Sequence, residues 1–333
     1  MNIYIAAEES AGIQALRLVA SKGHRVSAVL TSAPEGVRGA TVAGVAERLG
    51  VRVLPARLVK DPALAGQMRD EGVELLLNIH SLHIVHADVL VAPTIGSFNL
   101  HPGPLPAYAG RNVPSWAIAA GERRHAVTLH WMAPEVDAGH IAFATEFDIE
   151  PDDTGLSLSA KCVRHGLPLV NELIERASED PSSIPAVAQE ESKRRYFGRR
   201  PPYDGWVPWQ LEARRVVDFV RACDYGPWPS PWGEARARAG ALEVAVCSTR
   251  LAGRPVPPGT APGSVRPDPS GGDGVLVAAA DEWVLVQRVR YNGKRVAPQT
   301  VLRPGLRLEL SWQPGRAAFP GGDLPVRTWH ADV

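Results

Sequence analysis

An asparagine and a histidine two residues apart carry the densest chemical signal in the chain. Asn99 and His101 end an apolar run that begins near Ile95, and a segment rich in proline and glycine follows them. Because side chains alternate along a β-strand, residues i and i+2 point to the same face of a sheet. We therefore expect an amide donor and an imidazole to converge on one carbonyl group at the carboxyl end of a strand.

A second block, residues 126–141, places a carboxylate in a turn. The block reads as a strand, a turn that holds Asp137 before Gly139, and a further strand. This arrangement predicts that the turn brings the Asp137 carboxylate beside the imidazole of His101.

The elements that must position these groups alternate along the first half of the chain. Apolar runs and helical spacing predict strands at 2–7, 25–30, 52–54 and 73–79, and helices at 11–21, 41–49 and 61–70. Strands that alternate with helices indicate a parallel, doubly wound α/β sheet. Ligands of such sheets bind at the carboxyl ends of the strands.

The pattern changes after residue 150. We predict a long helix at 156–177, a polar linker-like stretch at 179–202 and a helix at 208–222. Short β-type runs follow at 241–248, 274–279, 283–289 and 306–312, and the Pro/Gly-rich segment 252–273 reads as a surface loop. These runs indicate a small antiparallel barrel.

Composition limits the classes of function. The chain has 333 residues, of which 45% are hydrophobic, so it is long enough for two domains with separate cores. Basic and acidic residues both total 36, and this balance leaves no global positive field for a nucleic-acid backbone. Because no apolar stretch reaches membrane-spanning length and the amino-terminus lacks a signal-like pattern, we expect a cytoplasmic protein with no membrane partner.

Metal and disulfide chemistry have little support in the sequence. Cys162, Cys223 and Cys247 are far apart and form no C-x-x-C pair, so we expect three reduced thiols. His80, His83 and His86 recur at every third residue, but no cysteine or carboxylate supports a site there. We expect no bound metal.

The motifs together resemble the folate-dependent formyltransferase family, which includes methionyl-tRNA formyltransferase and the amino-sugar formyltransferases. They are Asn-x-His, then Leu-Pro-x-Tyr-x-Gly and Trp-Ala-Ile, then Val-Thr-Leu-His and Asp-Ala-Gly. The segment 196–206 resembles the linker of two-domain members, whose second domain is an OB-like barrel. The resemblance implies a Rossmann-like formyltransferase catalytic domain at 1–190, a linker at 191–206 and an OB-like domain at 207–333.

The resemblance also implies the chemistry of the three polar residues. Asn99 would donate a hydrogen bond to the formyl oxygen, His101 would assist that oxygen and take part in proton transfer, and Asp137 would set the charge state of the histidine and relay the amine proton. Formyl transfer to an amine passes through a tetrahedral adduct, which needs an oxyanion donor and a base.

The family's co-substrate is 10-formyltetrahydrofolate, which is released as tetrahydrofolate. By motif position, the residues expected at the folate are Leu82, His83, Ile84, Val85, Glu135, Val136, Gly139 and His140. Those expected at the acceptor are Ser10, Gly103, Pro104, Tyr108, Arg111 and Trp116. The family's usual Ser-Leu-Leu-Pro and Tyr-Arg-Gly stand here as Gly-Pro-Leu-Pro and Tyr-Ala-Gly, which predicts an atypical acceptor pocket.

We therefore expect an N-formyltransferase acting on the amine of a small metabolite. Gly-Arg-Arg-x-Pro and Asp-Gly-x-x-x-Trp resemble sugar-modifying members and favour a nucleotide-linked amino sugar. An amino acid or a hydroxylamine such as hydroxyornithine, used in secondary metabolism, is the first alternative. Methionyl-tRNA is disfavoured because the second domain has only a slight positive excess, which is densest at Arg288, Arg290, Lys294 and Arg295. Hydrolysis of 10-formyltetrahydrofolate and a non-enzymatic OB-type nucleic-acid binder complete the alternatives.

Overall fold

The computed structural model describes residues 1–32 and 39–310. The helices within these ranges are α1 (Glu9–Ser21), α2 (Val42–Arg48), α3 (Ala63–Asp70), α4 (Ala87–Leu90), α5 (Val113–Ala120), α6 (Gly155–Glu179) and α7 (Ala213–Ala222). The strands are β1 (Asn2–Ala7), β2 (Arg25–Thr31), β3 (Arg52–Pro55), β4 (Leu75–Ile79), β5 (Gly96–His101), β6 (Ala109–Gly110), β7 (Arg124–Trp131), β8 (Ile141–Asp148), β9 (Tyr196–Phe197), β10 (Arg236–Ala239), β11 (Leu242–Pro255), β12 (Val265–Pro267), β13 (Val275–Ala278), β14 (Glu282–Tyr291) and β15 (Lys294–Val296).

The chain forms two compact units that are interleaved in sequence. The first unit contains residues 1–110, 126–147 and 161–195. The second contains residues 111–125 and 148–160 together with residues 196–310. Two stretches of the amino-terminal half thus belong to the unit that holds the carboxyl-terminal strands.

The first unit is built on a sheet with the strand order β3-β2-β1-β4-β5-β7-β8. The strands from β3 to β5 are parallel, and β7 runs antiparallel to β5. The chain moves outward from β1 to β3 and then returns to the other side of β1 to add β4. This reversal opens a crevice at the carboxyl ends of β1 and β4, where doubly wound sheets bind ligands.

Both faces of this sheet are covered. Ile3 and Ile5 of β1 belong to the core beneath α1, whereas the alternating Tyr4 and Ala6 belong to a second core on the opposite face. A strand buried on both sides reads as a continuous apolar run, which is what the sequence shows. A Cβ atom at Gly166 of α6 would lie 2.9 Å from the Leu100 side chain, so glycine allows this helix to pack closely over β5.

The second unit is an antiparallel sheet with two helices. Its strand order is β10-β11-β14-β13-β12, and β15 pairs with β14. Asn292 and Gly293 both have positive φ in the tight turn that joins β14 to β15, as a type I′ hairpin requires. Helices α5 and α7 are tied by the Ser115 hydroxyl, which donates to the carbonyl of Ala222, and by the Arg215 guanidinium, which donates to the carbonyl of Ala120.

The predicted fold class, a doubly wound α/β sheet followed by a small antiparallel β-domain, is confirmed. Three local predictions differ from the structure. Helix α7 begins at residue 213 rather than 208, because residues 208–211 form a turn closed by the amide of Leu211 on the carbonyl of Pro208. The segment 252–273 is not all loop: β11 keeps pairing with β14 as far as Pro255, and Val265–Pro267 pairs with β13.

The last predicted strand, 306–312, is not formed over its described part. Arg307 makes only an isolated bridge with Ser264, and residues 311 and 312 lie outside the described residues. Within the described ranges, no helix has both the length and the apolar character needed to cross a bilayer.

Candidate active site

Three neighbouring strands place polar side chains in one row near their carboxyl ends. In the register of the sheet, Asn99 of β5 lies opposite Asn78 of β4 and opposite His130 of β7. His101 follows two residues after Asn99 and lies opposite Thr128. Because β5 is regular up to His101, Asn99 and His101 point to the same face, as the sequence predicts.

The turn between β7 and β8 holds Asp137 under tight backbone constraints. Asp137 itself has φ of 55°, in the left-handed region. A Cβ atom at Gly139 would lie 1.8 Å from the carbonyl oxygen of Trp131, so only glycine allows the turn to fold back this closely. The amide of Gly110 donates to Asp137 Oδ2 at 2.8 Å and fixes the carboxylate.

The structure brings Asn99, His101 and Asp137 together within the first unit. Asp137 Oδ2 lies 3.6 Å from His101 Nδ1, and Asp137 Oδ1 lies 3.4 Å from Asn99 Nδ2. His101 is only 3% exposed and Asp137 only 9%. The three residues that the sequence singles out thus form one cluster at the end of the sheet, in which His101 and Asp137 are buried and Asn99 is half-buried.

The tautomer of His101 follows from its partner. Its Nε2 lies 2.6 Å from the carbonyl oxygen of Tyr108, which can only accept, so Nε2 carries the proton. In the neutral ring, Nδ1 then presents a lone pair on the side of Asp137. Together, Nδ1 and Asp137 Oδ2 form two adjacent acceptors suited to the N–H groups of an amine.

Burial and mutual charge set the protonation of this pair. Burial lowers the pKa of His101, and the Asp137 carboxylate offsets only part of that effect. Burial alone would raise the pKa of Asp137, but the neighbouring imidazoles of His101 and His130 and the hydrogen bond from the Gly110 amide outweigh it and hold that pKa well below its usual range. We take the cluster to contain a neutral imidazole and an ionised carboxylate at neutral pH.

These groups can together support attack on a carbonyl. The Asn99 amide can donate to an oxygen on which negative charge develops, and the His101 lone pair can accept a proton. The ionised Asp137 stabilises the imidazolium that forms. The cluster therefore has the components of an acyl-transfer site.

The two loops predicted to bind folate differ in which groups are exposed and which are already bonded within the protein. In the loop after β4, Leu82 and Ile84 are more than 60% exposed, whereas Val85 is buried in the core with Val89. His83 is half-buried. Leu82 and Ile84 thus present apolar side chains outside the core, and Val85 contributes packing.

In the loop 135–140, several backbone carbonyls already accept protein hydrogen bonds. The Gln189 amide donates to the carbonyls of Asp137 and Gly139, and Arg194 donates to those of Val136 and Asp137. Arg194 also pairs with Glu135 at 3.2 Å. The carbonyl of His140 accepts from the amide of Trp131.

The residues predicted at the acceptor are divided between the units. In the first unit, Ser10 is exposed at the start of α1, and its hydroxyl accepts from Gln14. The carbonyls of Gly103 and Pro104 accept from Thr128 and from the amide of Tyr108, and the Tyr108 side chain is buried. These contacts stiffen the loop that carries the Tyr108 carbonyl.

Arg111 and Trp116 belong to the second unit. Arg111 is exposed, and its backbone amide donates to the carbonyl of Phe197. Trp116 is buried against Phe197 and Trp232 and donates from its indole to the carbonyl of Gly198. Within that unit Trp116 is a packing residue.

The histidines that precede α4 have separate surroundings. His80 lies 3.8 Å from a carboxylate oxygen of Glu9, and His86 accepts from the amide of Asp88 at the start of α4. Across residues 1–32 and 39–310, no three His, Cys, Asp or Glu side chains are grouped so that they could hold a metal ion.

Sequence reasoning missed four residues that support the cluster, namely Asn78, His130, Gln189 and Arg194. Asn78 lies in an apolar run that predicts a buried strand. His130 lies in the Val-Thr-Leu-His motif, which by itself assigns it no role. Local patterns place neither residue beside Asn99, because both contacts depend on the pairing of β4 and β7 with β5. Gln189 and Arg194 lie in the polar stretch read as a linker, where no pattern indicates their partners.

Comparison with known proteins bears on the family and the fold of the chain. The chain matches the formyl transferase family model over residues 9–170 and the formyl transferase C-terminal domain model over residues 201–304. An N-formyltransferase from Helicobacter canadensis, solved with folinic acid and dTDP-3-aminofucose, aligns over 85% of this chain and 98% of its own with a TM-score of 0.63 and 16% identity. WlaRD, a sugar 3N-formyl transferase solved with dTDP and 5-N-formyl-THF, aligns over 88% of this chain and 98% of its own with a TM-score of 0.64 and 15% identity.

HypX from Aquifex aeolicus, solved with tetrahydrofolic acid, has a TM-score of 0.59 and 18% identity over 91% of this chain. The chain spans about half of HypX, 46% of its length. At these identities the solved structures establish a shared fold, and the two family models, which together cover most of the chain, establish its kinship. The chain belongs to the formyl transferase family of enzymes.

Proposed function

We propose that the protein transfers a formyl group from 10-formyltetrahydrofolate to the amine of a small metabolite, and that the acceptor is a nucleotide-linked amino sugar. The observation that carries the proposal is the cluster of Asn99, His101 and Asp137, in which the Asp137 carboxylate lies 3.4 Å from Asn99 Nδ2 and 3.6 Å from His101 Nδ1. Its donor, base and carboxylate match the demands of formyl transfer to an amine.

In this proposal each residue has one task. Asn99 donates an amide N–H to the formyl oxygen as the amine nitrogen bonds to the formyl carbon and negative charge develops on that oxygen. His101 accepts the proton that the amine nitrogen loses, and Asp137 stabilises the resulting imidazolium. The adduct collapses by breaking the bond between the formyl carbon and N10 of the folate, and the proton held by His101 passes to N10, which gives tetrahydrofolate and restores the neutral imidazole.

The residues around the cluster fit a folate. The exposed apolar side chains of Leu82 and Ile84 can cover a flat ring system, and the loop 135–140 is held rigid by Gln189 and Arg194. Solved relatives of similar fold contain folinic acid, 5-N-formyl-THF or tetrahydrofolic acid. We assign the co-substrate to these two loops, which 10-formyltetrahydrofolate would reach from the side of His101.

The choice of acceptor rests on the solved relatives that carry sugar nucleotides and on the motifs at 198–209. We place the catalytic domain at 1–190, the linker at 191–206 and the second domain at 207–333, with residues 111–125 and 148–160 packing in the carboxyl-terminal unit. Ser10 and the segment 103–108 remain our candidates for acceptor contacts.

The decisive experiment measures tetrahydrofolate release from 10-formyltetrahydrofolate, with mass detection of products. The acceptor panel contains dTDP-amino sugars, ornithine and hydroxyornithine, other amino acids and methionyl-tRNA. A formylated amino-sugar nucleotide supports the proposal, and a formylated amino acid or tRNA replaces the acceptor. Formate without an acceptor product means hydrolysis, and no folate turnover rejects the activity.

Two site variants test the assigned roles. His101→Ala and Asp137→Asn remove the base and its carboxylate, and we expect kcat to fall by about 10²- to 10⁴-fold because a positioned base contributes that much. Asp148→Asn, which changes an exposed carboxylate, is the matched control and should keep full activity. Near-normal turnover in either site variant would contradict the mechanism.

A further inference from the structure

Asn78, Asn99 and His130 form a continuous hydrogen-bonded row across three strands. They occupy paired register positions on β4, β5 and β7. Asn78 Nδ2 donates to Asn99 Oδ1 at 2.9 Å, and Asn99 Nδ2 lies 3.0 Å from His130 Nε2. At the far end, His130 Nδ1 lies 2.8 Å from the carbonyl oxygen of Trp131.

The Trp131 carbonyl gives this row a direction. A carbonyl oxygen only accepts, so His130 Nδ1 carries a proton, and in the neutral ring Nε2 must accept. Asn99 therefore turns its NH₂ group toward His130 and its oxygen toward Asn78. Asn78 in turn must donate to that oxygen.

This direction leaves one buried oxygen at the end of the row without a donor among the described residues. Asn78 Oδ1 is buried and accepts no hydrogen bond from any described residue. A buried amide oxygen normally finds a donor. The orientation of Asn78 is thus explained by what Asn99 needs rather than by the hydrogen bonds available to Asn78 itself.

The direction matters because the two ends of an amide are nearly equal in size and opposite in hydrogen-bonding character. One N–H of Asn99 is used by His130, and the other lies beside Asp137 Oδ1 at 3.4 Å, a long contact that a stronger acceptor can displace. A reversed Asn99 would present its oxygen to the developing oxyanion and repel it.

We propose that His130 and Asn78 are positioning residues that hold the Asn99 amide with its N–H toward the reacting carbonyl, with the direction set by the main-chain carbonyl of Trp131. This inference rests on the proposed function. The two residues act through Asn99, and neither contacts the formyl group.

Variants compared in pairs separate an effect on the orientation of the Asn99 amide from an effect on packing. His130→Asn keeps a donor for Trp131 but removes the acceptor for Asn99, whereas His130→Gln can place an oxygen near the former Nε2. Asn78→Leu keeps the volume and removes the donor. We expect His130→Asn and Asn78→Leu to lower kcat by about tenfold to a hundredfold, a fraction of the value of one oxyanion donor, with the folate KM changed by less than about threefold.

His130→Gln should retain most of the kcat that His130→Asn loses. Ser97→Ala removes a different buried hydrogen bond of β5, the one to the carbonyl of Leu90, and should leave kcat and KM unchanged. Unchanged kcat in both His130→Asn and Asn78→Leu would overturn the proposal. So would losses in His130→Gln and Ser97→Ala that match those of the other variants.

A second measurement on the unmodified protein needs no enzymatic activity. Nitrogen-15 NMR of the histidine rings, assigned with His130→Gln, reports which ring nitrogen of His130 is protonated. We expect a neutral ring with the proton on Nδ1. A proton on Nε2 would overturn the row, whereas an Nδ1 proton in a protein without folate turnover would leave the row intact and reject only the proposed function.

Discussion

At the scale of single residues, His101 and Asp137 form an unequal pair. The ring is almost completely buried and is fixed by the Tyr108 carbonyl, whereas the carboxylate receives the Gly110 amide and lies near two imidazoles. Hydrogen bonds to an ionised carboxylate favour its charge, whereas burial of the imidazole disfavours a charged ring. The pair is therefore arranged to receive a proton rather than to hold one at rest.

This arrangement predicts that kcat for formyl transfer falls on the acidic side of its pH profile. The pKa of His101 lies below the usual value of a histidine side chain, about 6.5, because burial lowers it and the neighbouring His130 and His80 lower it further, with Asp137 opposing. The free base is thus fully present at pH 7 and is lost as the pH falls through that lowered pKa. We expect kcat for formyl transfer to be flat near pH 7 and to fall with a midpoint below 6.5.

The control for this profile is a ring titration of His101 in Asp137→Asn. Removing the carboxylate removes the one charge that raises the pKa of His101, so the titration should move to still lower pH. A midpoint above 6.5 in the native enzyme, or a shift to higher pH in the variant, would contradict the assignment.

At the scale of elements, the three residues proposed to be catalytic are easier to predict than the residues that support them. Asn99 and His101 are separated by the period of a strand, and Asp137 precedes a glycine in a turn, so all three are visible in the sequence. Asn78 and His130 join them only through the pairing of β4 and β7 with β5, which is a long-range property. The register of distant strands depends on packing and cannot be read from local patterns.

The same contrast holds in the second unit. The hairpin at 292–293 is encoded by an Asn-Gly pair, and β14 (Glu282–Tyr291) lies close to the strand predicted at 283–289, whereas β15 was not predicted. The segment 252–273 has a loop-like composition, yet its ends pair with β14 and β13. Composition identifies the turn residues between those strands, whereas pairing with β13 and β14 determines where the strands end.

The turn between β7 and β8 depends on the absence of one side chain. In Gly139→Ala the new Cβ would meet the Trp131 carbonyl, so the turn must move, and Asp137 moves with it. We expect a loss of about 1 to 3 kcal/mol in the free energy of unfolding, as for overpacked sites, and a fall in kcat of up to about 10²-fold, since a misplacement of about 1 Å can cost that much. Thermal unfolding and steady-state rates measure the two effects.

Gly66→Ala is the matched control because a Cβ atom there meets nothing within 4 Å and the residue lies within helix α3. It should raise stability by about 0.5 to 1 kcal/mol, since alanine is the better helix former, and leave kcat unchanged. Full activity in Gly139→Ala would show that the position of Asp137 does not depend on the closeness of this turn.

At the scale of the whole molecule, the balance of charge bears on the acceptor. The formal net charge is zero at pH 7, with a sequence pI near 7.2. With a small acceptor, we expect kcat/KM to change by less than about threefold between 50 and 200 mM salt, because few ions are displaced. A polyanionic acceptor held by many phosphate contacts would lose about 10³-fold or more over the same range.

That comparison needs only the acceptor identified by the product panel and methionyl-tRNA, each assayed at several concentrations of potassium chloride. A steep loss of rate with the small acceptor would show that phosphate groups dominate its binding. It would also contradict the weak salt dependence expected of a single diphosphate.

Helix α5 has a consequence for how the protein is made. Every residue of this apolar helix is buried, and its partner α7 is encoded far downstream, after α6 and the segment 181–206. A ribosome adding roughly 5 to 20 residues per second would expose α5 for several seconds before α7 emerges. During that interval the nascent chain carries an uncovered hydrophobic helix, which makes it a natural client for ribosome-associated chaperones.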